Sequence, residues 1–151
     1  MSGGEASARI SLRRITASNA ALLNDAADDV FDDIVDAARV EAFVARPEHL
    51  LIVAVAEQPS GRPLVVGQIA AMLHHHVDAA PDLYIDNLGV APDFRRRGIA
   101  RGLVEAVMAL GRSLGGDGAW VLTEADNDPA RALYRERGAE AQAVVMFEYD
   151  L

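Results

Sequence analysis

Apolar runs separated by polar turns predict a β-hairpin and a further strand in the middle of the chain. Residues 50–56 are almost wholly apolar and rich in β-branched side chains, residues 58–62 have turn composition, and residues 64–73 form a second apolar run. This pattern is typical of two interior strands joined by a short turn. After a loop, residues 83–90 are expected to form the next strand.

The second half of the chain adopts a helical period and then returns to short strands. From Ile99 onward, apolar residues recur at the spacing of a core-facing helix, at Leu103, Val107, Leu110 and Leu114. A strand is expected at residues 119–123. A short helix should follow, with Asp128 as its N-cap, Pro129 at N1 and Gly138 at C′. The pattern predicts a closing strand at residues 143–149.

The first third predicts a strand at residues 8–14, a helix around Leu22 and Leu23 capped by Thr16 or Ser18, and a second helix at residues 33–45. Taken together, the elements predict an α/β fold of a single domain, residues 1–151. One mixed central sheet with about four helices should carry antiparallel hairpins in front and βαβ units behind.

Composition narrows the classes of function. The 51% hydrophobic content can bury a core, and the absence of cysteine excludes disulfides and any acyl transfer through an enzyme thiol. The charge of 14 minus 23, or −9, argues against nucleic acid as a partner. No apolar run is long enough to span a membrane, and residues 1–11 lack the apolar core of a signal peptide, so we expect a cytoplasmic protein.

The junction between the strand at 83–90 and the helix from Ile99 has the composition of a phosphate site. Arg95, Arg96 and Arg97 precede Gly98, and Ala100 keeps the first helical turn unobstructed. A helix start offers free backbone N–H groups and a partial positive charge, and glycine allows a ligand to approach closely. The sequence therefore predicts that a phosphorylated cofactor binds here, although the usual glycine-rich nucleotide motifs are absent.

Several motifs resemble the signature of the GNAT superfamily of acetyl-CoA-dependent N-acetyltransferases: Leu88-x-Val90, Arg95-x-x-Gly98-x-Ala100, Asn127 and Ala132-Leu-Tyr134-x-x-x-Gly138. The resemblance implies a GNAT-like acyl-CoA N-acyltransferase fold with acetyl-CoA as co-substrate. It implies that Leu88, Gly89 and Val90 bind the pantetheine arm. The pyrophosphate would lie on the backbone of Arg95, Arg96, Arg97, Gly98, Ile99 and Ala100. Asn127 would contact the cofactor, and Tyr134 would be the general acid.

Acetyl transfer to an amine requires a neutral amine, an oxyanion site and a proton for the departing thiolate. Without cysteine, direct attack in a ternary complex is the economical route. Tyrosine stays protonated at neutral pH and can donate that proton. Asp86 is the preferred base, because it stands two residues before Leu88 and should share its strand face. Glu124 and Asp126 are alternatives if their strand lies beside that of Asp86, and a bulge near Leu88 could free amides for the oxyanion.

Acidic residues concentrate in the first third. Between residues 24 and 50, eight acids face two arginines, and eight minus two gives six of the nine net negative charges. These acids are expected either to form solvated faces or to bind a small cationic amine. The substrate-binding candidates are Asp32, Asp33, Asp86, Glu124 and Asp126.

The sequence is most similar, within the superfamily, to the type I aminoglycoside 3-N-acetyltransferases of antibiotic resistance. The shared segments include residues 51–56, 95–100, 124–126 and 146–150. These enzymes have Tyr-Asp-Leu where this chain has Asp86-Asn87-Leu88. The alternatives are another amine, such as a protein N-terminus, a polyamine or a small metabolite, and a non-catalytic acyl-CoA-binding module.

Two expectations concern other partners. His74, His75 and His76 do not predict a metal site, because consecutive strand residues point to alternate faces and cannot easily converge on one ion. An apolar strand edge at residues 144–147 would favour a homodimer.

Overall fold

The computed structural model describes residues 8–151, and the chain divides into two compact units, Met1–Val121 and Leu122–Leu151. Each unit is described by itself. The elements of the first unit are β1 (Ile10–Arg14), a 3₁₀ helix (Ala20–Asn24), α1 (Ala37–Val44), β2 (His49–Glu57), β3 (Pro63–His74), β4 (Asp82–Val90), a 3₁₀ turn (Pro92–Phe94), α2 (Ile99–Ser113) and β5 (Gly118–Val121). The second unit contains α3 (Asp128–Glu136).

A mixed sheet organises the first unit. Within the described residues its strands lie in the order β1-β2-β3-β4-β5, antiparallel from β1 to β4, with β4 and β5 parallel. The sequence predicted each of these strands within a few residues. The interior strands β2 and β3 are almost completely buried, as their unbroken apolar runs indicated. The mixed α/β class is therefore confirmed.

Helix α2 covers one face of this sheet. Leu103 and Val107 are fully buried, and the helix lies so close to β3 that a Cβ on Gly67 would come within 3.1 Å of the Ile99 side chain. The predicted apolar stripe ends differently. Leu114 is 40% exposed, and Gly111 takes the last buried position, where a Cβ would lie only 3.1 Å from the Leu83 side chain.

The two helices predicted near the start are shorter than expected. Residues 20–24 form a 3₁₀ turn without a side-chain cap, so the described residues contain three α-helices. Helix α1 begins at Ala37 and not at residue 33, because the Asp36 side chain accepts a hydrogen bond from the Arg39 amide at 2.9 Å and caps the helix. Residues 33–36 therefore stay irregular.

The closing strand predicted at residues 143–149 is not formed. Residues 139–151 are described throughout and contain neither helix nor strand. Apolar composition favours a strand only when a neighbouring strand satisfies its backbone groups, and within residues 8–151 this segment has no ladder partner. The homodimer expectation, which relied on an apolar strand edge at residues 144–147, loses that basis.

The sequence predicted neither a membrane span nor a signal peptide. Within residues 8–151, none of the helices combines the length and apolar character needed to cross a bilayer. The signal-peptide argument depended partly on residues 1–7, which lie outside the described residues.

Candidate active site

The connection from β4 to α2 has the geometry of an anion-binding turn. The Arg95 Nε atom donates to the Val90 carbonyl at 3.3 Å, which ties the turn back to the end of the strand. Arg96 and Gly98 both adopt left-handed backbone conformations, with φ of 62° and 76°. Gly98 is the N-cap of α2, and no side chain caps the helix. The first-turn amides of α2 are therefore available to an external acceptor.

The same turn fits a diphosphate. The first turn of α2 contains no acidic residue that would repel an anion. A Cβ placed on Gly98 would meet no described atom within 4 Å, so the approach to the helix start is open. The Arg97 guanidinium lies 4.9 Å from the centre of the Phe94 ring. Ile99 is buried and anchors the helix to the sheet. The turn therefore offers backbone amides rather than a preformed cage of arginine side chains.

Strand β4 carries a β-bulge at Asp86. Asn87 pairs with Ala70 and Ile85 pairs with Ala71, so Asp86 has no partner on β3. Directly opposed residues share a face, and the partners of Ile85 and Leu88 are two residues apart on β3. Leu88 therefore shares its face with Ile85. The expectation that Asp86 and Leu88 face the same way is wrong, because the extra residue breaks the two-residue period. The bulge itself lies two residues before Leu88.

Asp86 interacts with Tyr84 instead. Burial raises the pKa of the Tyr84 hydroxyl above 10.0, and the charge of the Asp86 carboxylate and a hydrogen bond to it raise this pKa further. The Tyr84 ring stacks on Trp120 of the neighbouring strand, with centroids 4.3 Å apart. Asp86 is thus a solvent-exposed carboxylate that is oriented by a phenol.

A large cavity lies in the acidic first third. Its volume is about 880 Å³, and its carboxylate lining is Asp28, Asp29, Asp32, Asp33 and Glu41. Among the described residues, no lysine, arginine or histidine lines it. Other acids of this segment have structural roles. Asp25 pairs with Arg62 at 3.1 Å, and Asp36 caps α1. A lining that carries negative charge and no cationic side chain favours a positively charged ligand.

A hydrogen-bond chain fastens the cavity wall to β4. The Asn87 Nδ2 atom donates to Asp32 at 2.8 Å, and the Gln68 Nε2 atom donates to the Asn87 Oδ1 atom at 2.6 Å and to the Val30 carbonyl at 3.2 Å. The Val30 carbonyl also lies directly over Gly89, where a Cβ would overlap it. One lining residue of the cavity, Asp32, is therefore tied to Asn87, the neighbour of Leu88 in β4.

Sequence reasoning missed Gln68 and Asn87. Gln68 is the buried polar residue of the core, 1% exposed, and its Oε1 atom has no partner among the described residues. The signal was present, because a buried amide inside an apolar strand needs a hydrogen-bond partner from elsewhere in the fold. The identity of that partner could not be read from the local sequence.

The second unit carries the remaining predicted site residues. Asn127, and not Asp128, is the N-cap of α3, since its Oδ1 atom accepts from the Ala130 amide at 3.2 Å. Gly138 follows the helix with a φ of 85°, as expected for C′. Burial raises the pKa of the Tyr134 hydroxyl above 10.0. Glu124 and Asp126 lie in the segment that precedes α3. The strand β5 pairs with β4 but ends at Val121, so Glu124 and Asp126 are not strand residues as expected.

The family comparison agrees with this geometry. Residues 16–139 match the model of the acetyltransferase (GNAT) family. The chain belongs to the GNAT acetyltransferase family. It is therefore an acetyltransferase, and the matched residues include both the β4–α2 turn and α3. No curated relative matches this GNAT chain in sequence.

Solved structures share the GNAT fold at low identity. An aminoglycoside acetyltransferase from an uncultured soil metagenomic sample, in complex with sisomicin, is 21% identical with a TM-score of 0.77, covering 94% of this chain and 96% of its own. The aminoglycoside N-acetyltransferase AAC(6′)-Iy, in complex with CoA, is 20% identical with a TM-score of 0.76 and 97% coverage of both chains. A Trypanosoma brucei acetyltransferase is 19% identical with a TM-score of 0.73, covering 95% of this chain and 100% of its own.

Proposed function

We propose that this GNAT enzyme transfers the acetyl group of acetyl-CoA to a primary amine of a polycationic aminoglycoside. The observation that carries the proposal is the cavity lined by five carboxylates, one of which, Asp32, accepts a hydrogen bond from Asn87 of β4. Its acidic lining suits a substrate with several ammonium groups, and the Asp32–Asn87 hydrogen bond keeps that lining next to Leu88. Such a substrate also gains in association rate from the negative field.

Acetyl-CoA is the co-substrate in this proposal. The open, uncapped start of α2 suits its diphosphate, and strand residues 88–90 suit its pantetheine arm. One fold neighbour, AAC(6′)-Iy, was crystallised with CoA and, in a second structure, with the bisubstrate analogue CoA-S-monomethyl-acetylneamine. The roles of Arg95, Arg96, Arg97, Ile99 and Ala100 in this binding are backbone roles, as the resemblance implies.

The proposed mechanism uses one proton donor and one general base. Tyr134 donates its proton to the thiolate as the amine nitrogen bonds to the acetyl carbon and the carbon–sulfur bond breaks. Its raised pKa keeps the hydroxyl protonated at neutral pH, which the role requires. Asp86 is our preferred base, directly or through water, and Glu124 and Asp126 are the alternatives. Asn127 contributes to acetyl-CoA binding in addition to its role as helix cap.

An aminoglycoside carries several amines, and the proposal also concerns which of them is acetylated. Segments of the sequence resemble the 3-N-acetyltransferases, whereas a fold neighbour is the AAC(6′)-Iy enzyme. We retain the 3-amine as the proposed site. Mass spectrometry of the acetylated product, with fragmentation of the sugar rings, distinguishes the 3-amine from the 6′-amine.

Thiol release from acetyl-CoA tests the substrate class. Purified protein should release CoA in the presence of sisomicin or kanamycin and much less with spermidine or with a peptide bearing a free N-terminus. Turnover with one of the other amines alone would overturn the aminoglycoside assignment. No thiol release with any amine, despite measurable acetyl-CoA binding, would indicate a non-catalytic acyl-CoA-binding module.

Replacing Tyr134 by phenylalanine tests the acid. Because the hydroxyl supplies the proton for the thiolate, kcat should fall by about 100-fold to 10,000-fold while the Kd for acetyl-CoA stays within about twofold. Tyr149→Phe is the matched control and should keep full activity. In the unmodified enzyme, the raised pKa of Tyr134 means that this group should cause no loss of kcat between pH 7 and about pH 10. Equal kcat for Tyr134→Phe and the unmodified chain would exclude Tyr134 as the acid.

A further inference from the structure

A cluster of two imidazoles and one carboxylate lies at the far end of the β3–β4 hairpin from the proposed acetyl site. His74 ends β3, and Asp82 begins β4 directly opposite it. His76 stands two residues beyond His74. The ligand atoms of His74, His76 and Asp82 all lie within 4.8 Å of one another. None of these residues has a role in the proposed acetyl transfer.

The arrangement follows from strand geometry. Directly paired residues of antiparallel strands place their side chains on the same face, which brings Asp82 beside His74. Residues two apart in an extended segment also share a face, and the rings of His74 and His76 accordingly have centroids 4.4 Å apart. His75 contributes no atom to the cluster. The three consecutive histidines therefore do not converge on one point. Instead, the carboxylate of Asp82 on the neighbouring strand joins His74 and His76.

The spacing is close to that of a metal-ligand set. The His76 Nε2 atom is 3.1 Å from one oxygen of Asp82, and the His74 Nδ1 atom is 3.9 Å from the other. Ligands at about 2.1 Å from a tetrahedral zinc ion lie roughly 3.4 Å apart. Small side-chain rotations would thus close the set on an ion. The three side chains are 29–48% exposed, so an ion can enter from solvent and keep water as its remaining ligand.

The Asp82 carboxylate already accepts a hydrogen bond from a residue outside the cluster. The Trp120 indole Nε1 atom donates to the Asp82 Oδ1 atom at 3.3 Å, and Trp120 is itself held by stacking on Tyr84. Hydrogen bonds of this kind orient the carboxylate ligands of metal sites. The Asp117 amide also bonds to the Pro81 carbonyl at 3.1 Å, which fixes the chain just before Asp82. The contact between His76 and Asp82 explains the position of the His76 ring but not that of the His74 ring.

We propose that His74, His76 and Asp82 bind a divalent transition-metal ion, with Zn²⁺ as the representative ion. Two imidazoles with one carboxylate suit zinc and its transition-metal neighbours, whereas Mg²⁺ and Ca²⁺ prefer ligand sets made of oxygen atoms. The ion would link the end of β3 to the start of β4. It would stabilise the hairpin at a distance from the acetyl-transfer chemistry.

Calorimetric titration with ZnCl₂ tests the site, on EDTA-treated and dialysed protein from which any histidine tag has been removed. The unmodified chain should bind one ion with a saturable heat. His74→Ala, His76→Ala and Asp82→Asn should each weaken binding by at least about tenfold. His75→Ala is the matched control, since it removes an adjacent imidazole that lies outside the cluster, and it should bind as the unmodified chain does.

Two further measurements locate the ion and guard against misfolding. Trp120 is the single tryptophan of the chain, so Zn²⁺ should change the intrinsic fluorescence in the unmodified protein and in His75→Ala, but not in His76→Ala at the same concentration. In EDTA, all variants should melt near the same Tm, and Zn²⁺ should raise Tm only where the cluster is intact. The absence of a saturable heat, an equal loss in His75→Ala, or an equal response to MgCl₂ would overturn the proposal.

Discussion

The two sides of the proposed site are built in different ways. On the donor side, β4 and α2 are regular elements joined by a short turn, and recognition uses backbone amides at the start of the helix. On the acceptor side, residues 25–36 contain no helix and no ladder strand, and recognition uses carboxylate side chains. A backbone site depends on local conformation, which glycine and strand patterns reveal. A side-chain site depends on tertiary hydrogen bonds that hold an irregular segment in place.

The largest expected effect comes from Gly89→Ala, at a β4 position where the donor side contacts Val30 of the acceptor side. A Cβ on Gly89 would overlap the Val30 carbonyl oxygen and lie 3.2 Å from the carbonyl carbon, so the backbone at Val30 must move. Overpacking of this kind costs about 1–3 kcal/mol in the free energy of unfolding. We expect a lower Tm and a fall in kcat/KM for the amine, and, because Gly89 belongs to the strand proposed to bind the pantetheine arm, the Kd for acetyl-CoA should rise as well.

Gly118→Ala is the matched control for this comparison. Gly118 also lies in a strand of the same sheet, and a Cβ there would meet no described atom within 4 Å. Its Tm and kcat/KM should remain close to those of the unmodified chain. If Gly89→Ala behaved like Gly118→Ala, the contact between Val30 and β4 would not be what positions the acceptor side.

Sequence reasoning succeeded where local pattern determines structure. The runs of β2 and β3 and the helical period of α2 were predicted because an interior strand and an amphipathic helix each leave a local signature. Sequence reasoning failed where the local structure depends on contacts with residues that are distant in the sequence. The bulge at Asp86 depends on the register between β3 and β4, and the His74–Asp82 pairing depends on the same register.

The missed parts of the acceptor side follow the same rule. Asp36 is the N-cap of α1. Its side chain accepts a hydrogen bond from the Arg39 amide, so residues 33–36 lie outside the helix. Nothing in the spacing of the acids showed which would line a cavity and which, like Asp25, would pair with Arg62. The closing strand was predicted from composition alone, and composition cannot supply a partner strand.

A smaller effect, confined to the donor side, is expected for Gly98→Ala. The φ of 76° places Gly98 in the left-handed region, where a residue with a Cβ costs about 1–2 kcal/mol, although the added methyl group meets no described atom. If the turn relaxes to avoid that cost, the Kd for acetyl-CoA should rise by about fivefold to 30-fold, as isothermal titration would show. The KM for the amine should change much less.

Gly102→Ala controls for the loss of a glycine near the same helix start. Gly102 lies inside α2, and a Cβ there would be 3.6 Å from Leu12, an ordinary contact. Alanine is favoured over glycine inside a helix by about 0.5–1 kcal/mol, so this variant should be at least as stable as the unmodified chain. Weakened acetyl-CoA binding in Gly102→Ala, with none in Gly98→Ala, would contradict the backbone account of the donor side.

The smallest expected effect is that of Asp32→Asn, which removes a charge from the cavity but keeps an acceptor for the Asn87 amide. Exposed ion pairs contribute about 0.2–1 kcal/mol, so kcat/KM for an aminoglycoside should fall by about 1.4-fold to fivefold at low salt. The difference should shrink as salt screens the charges. Glu48→Gln removes the same charge from the same acidic segment but outside the cavity lining, and it should change kcat/KM less. If the two variants lost activity equally, the net charge of the segment, and not the cavity, would attract the substrate. In that case the acceptor side would act only through its long-range field, and its irregular structure would have no part in choosing the amine.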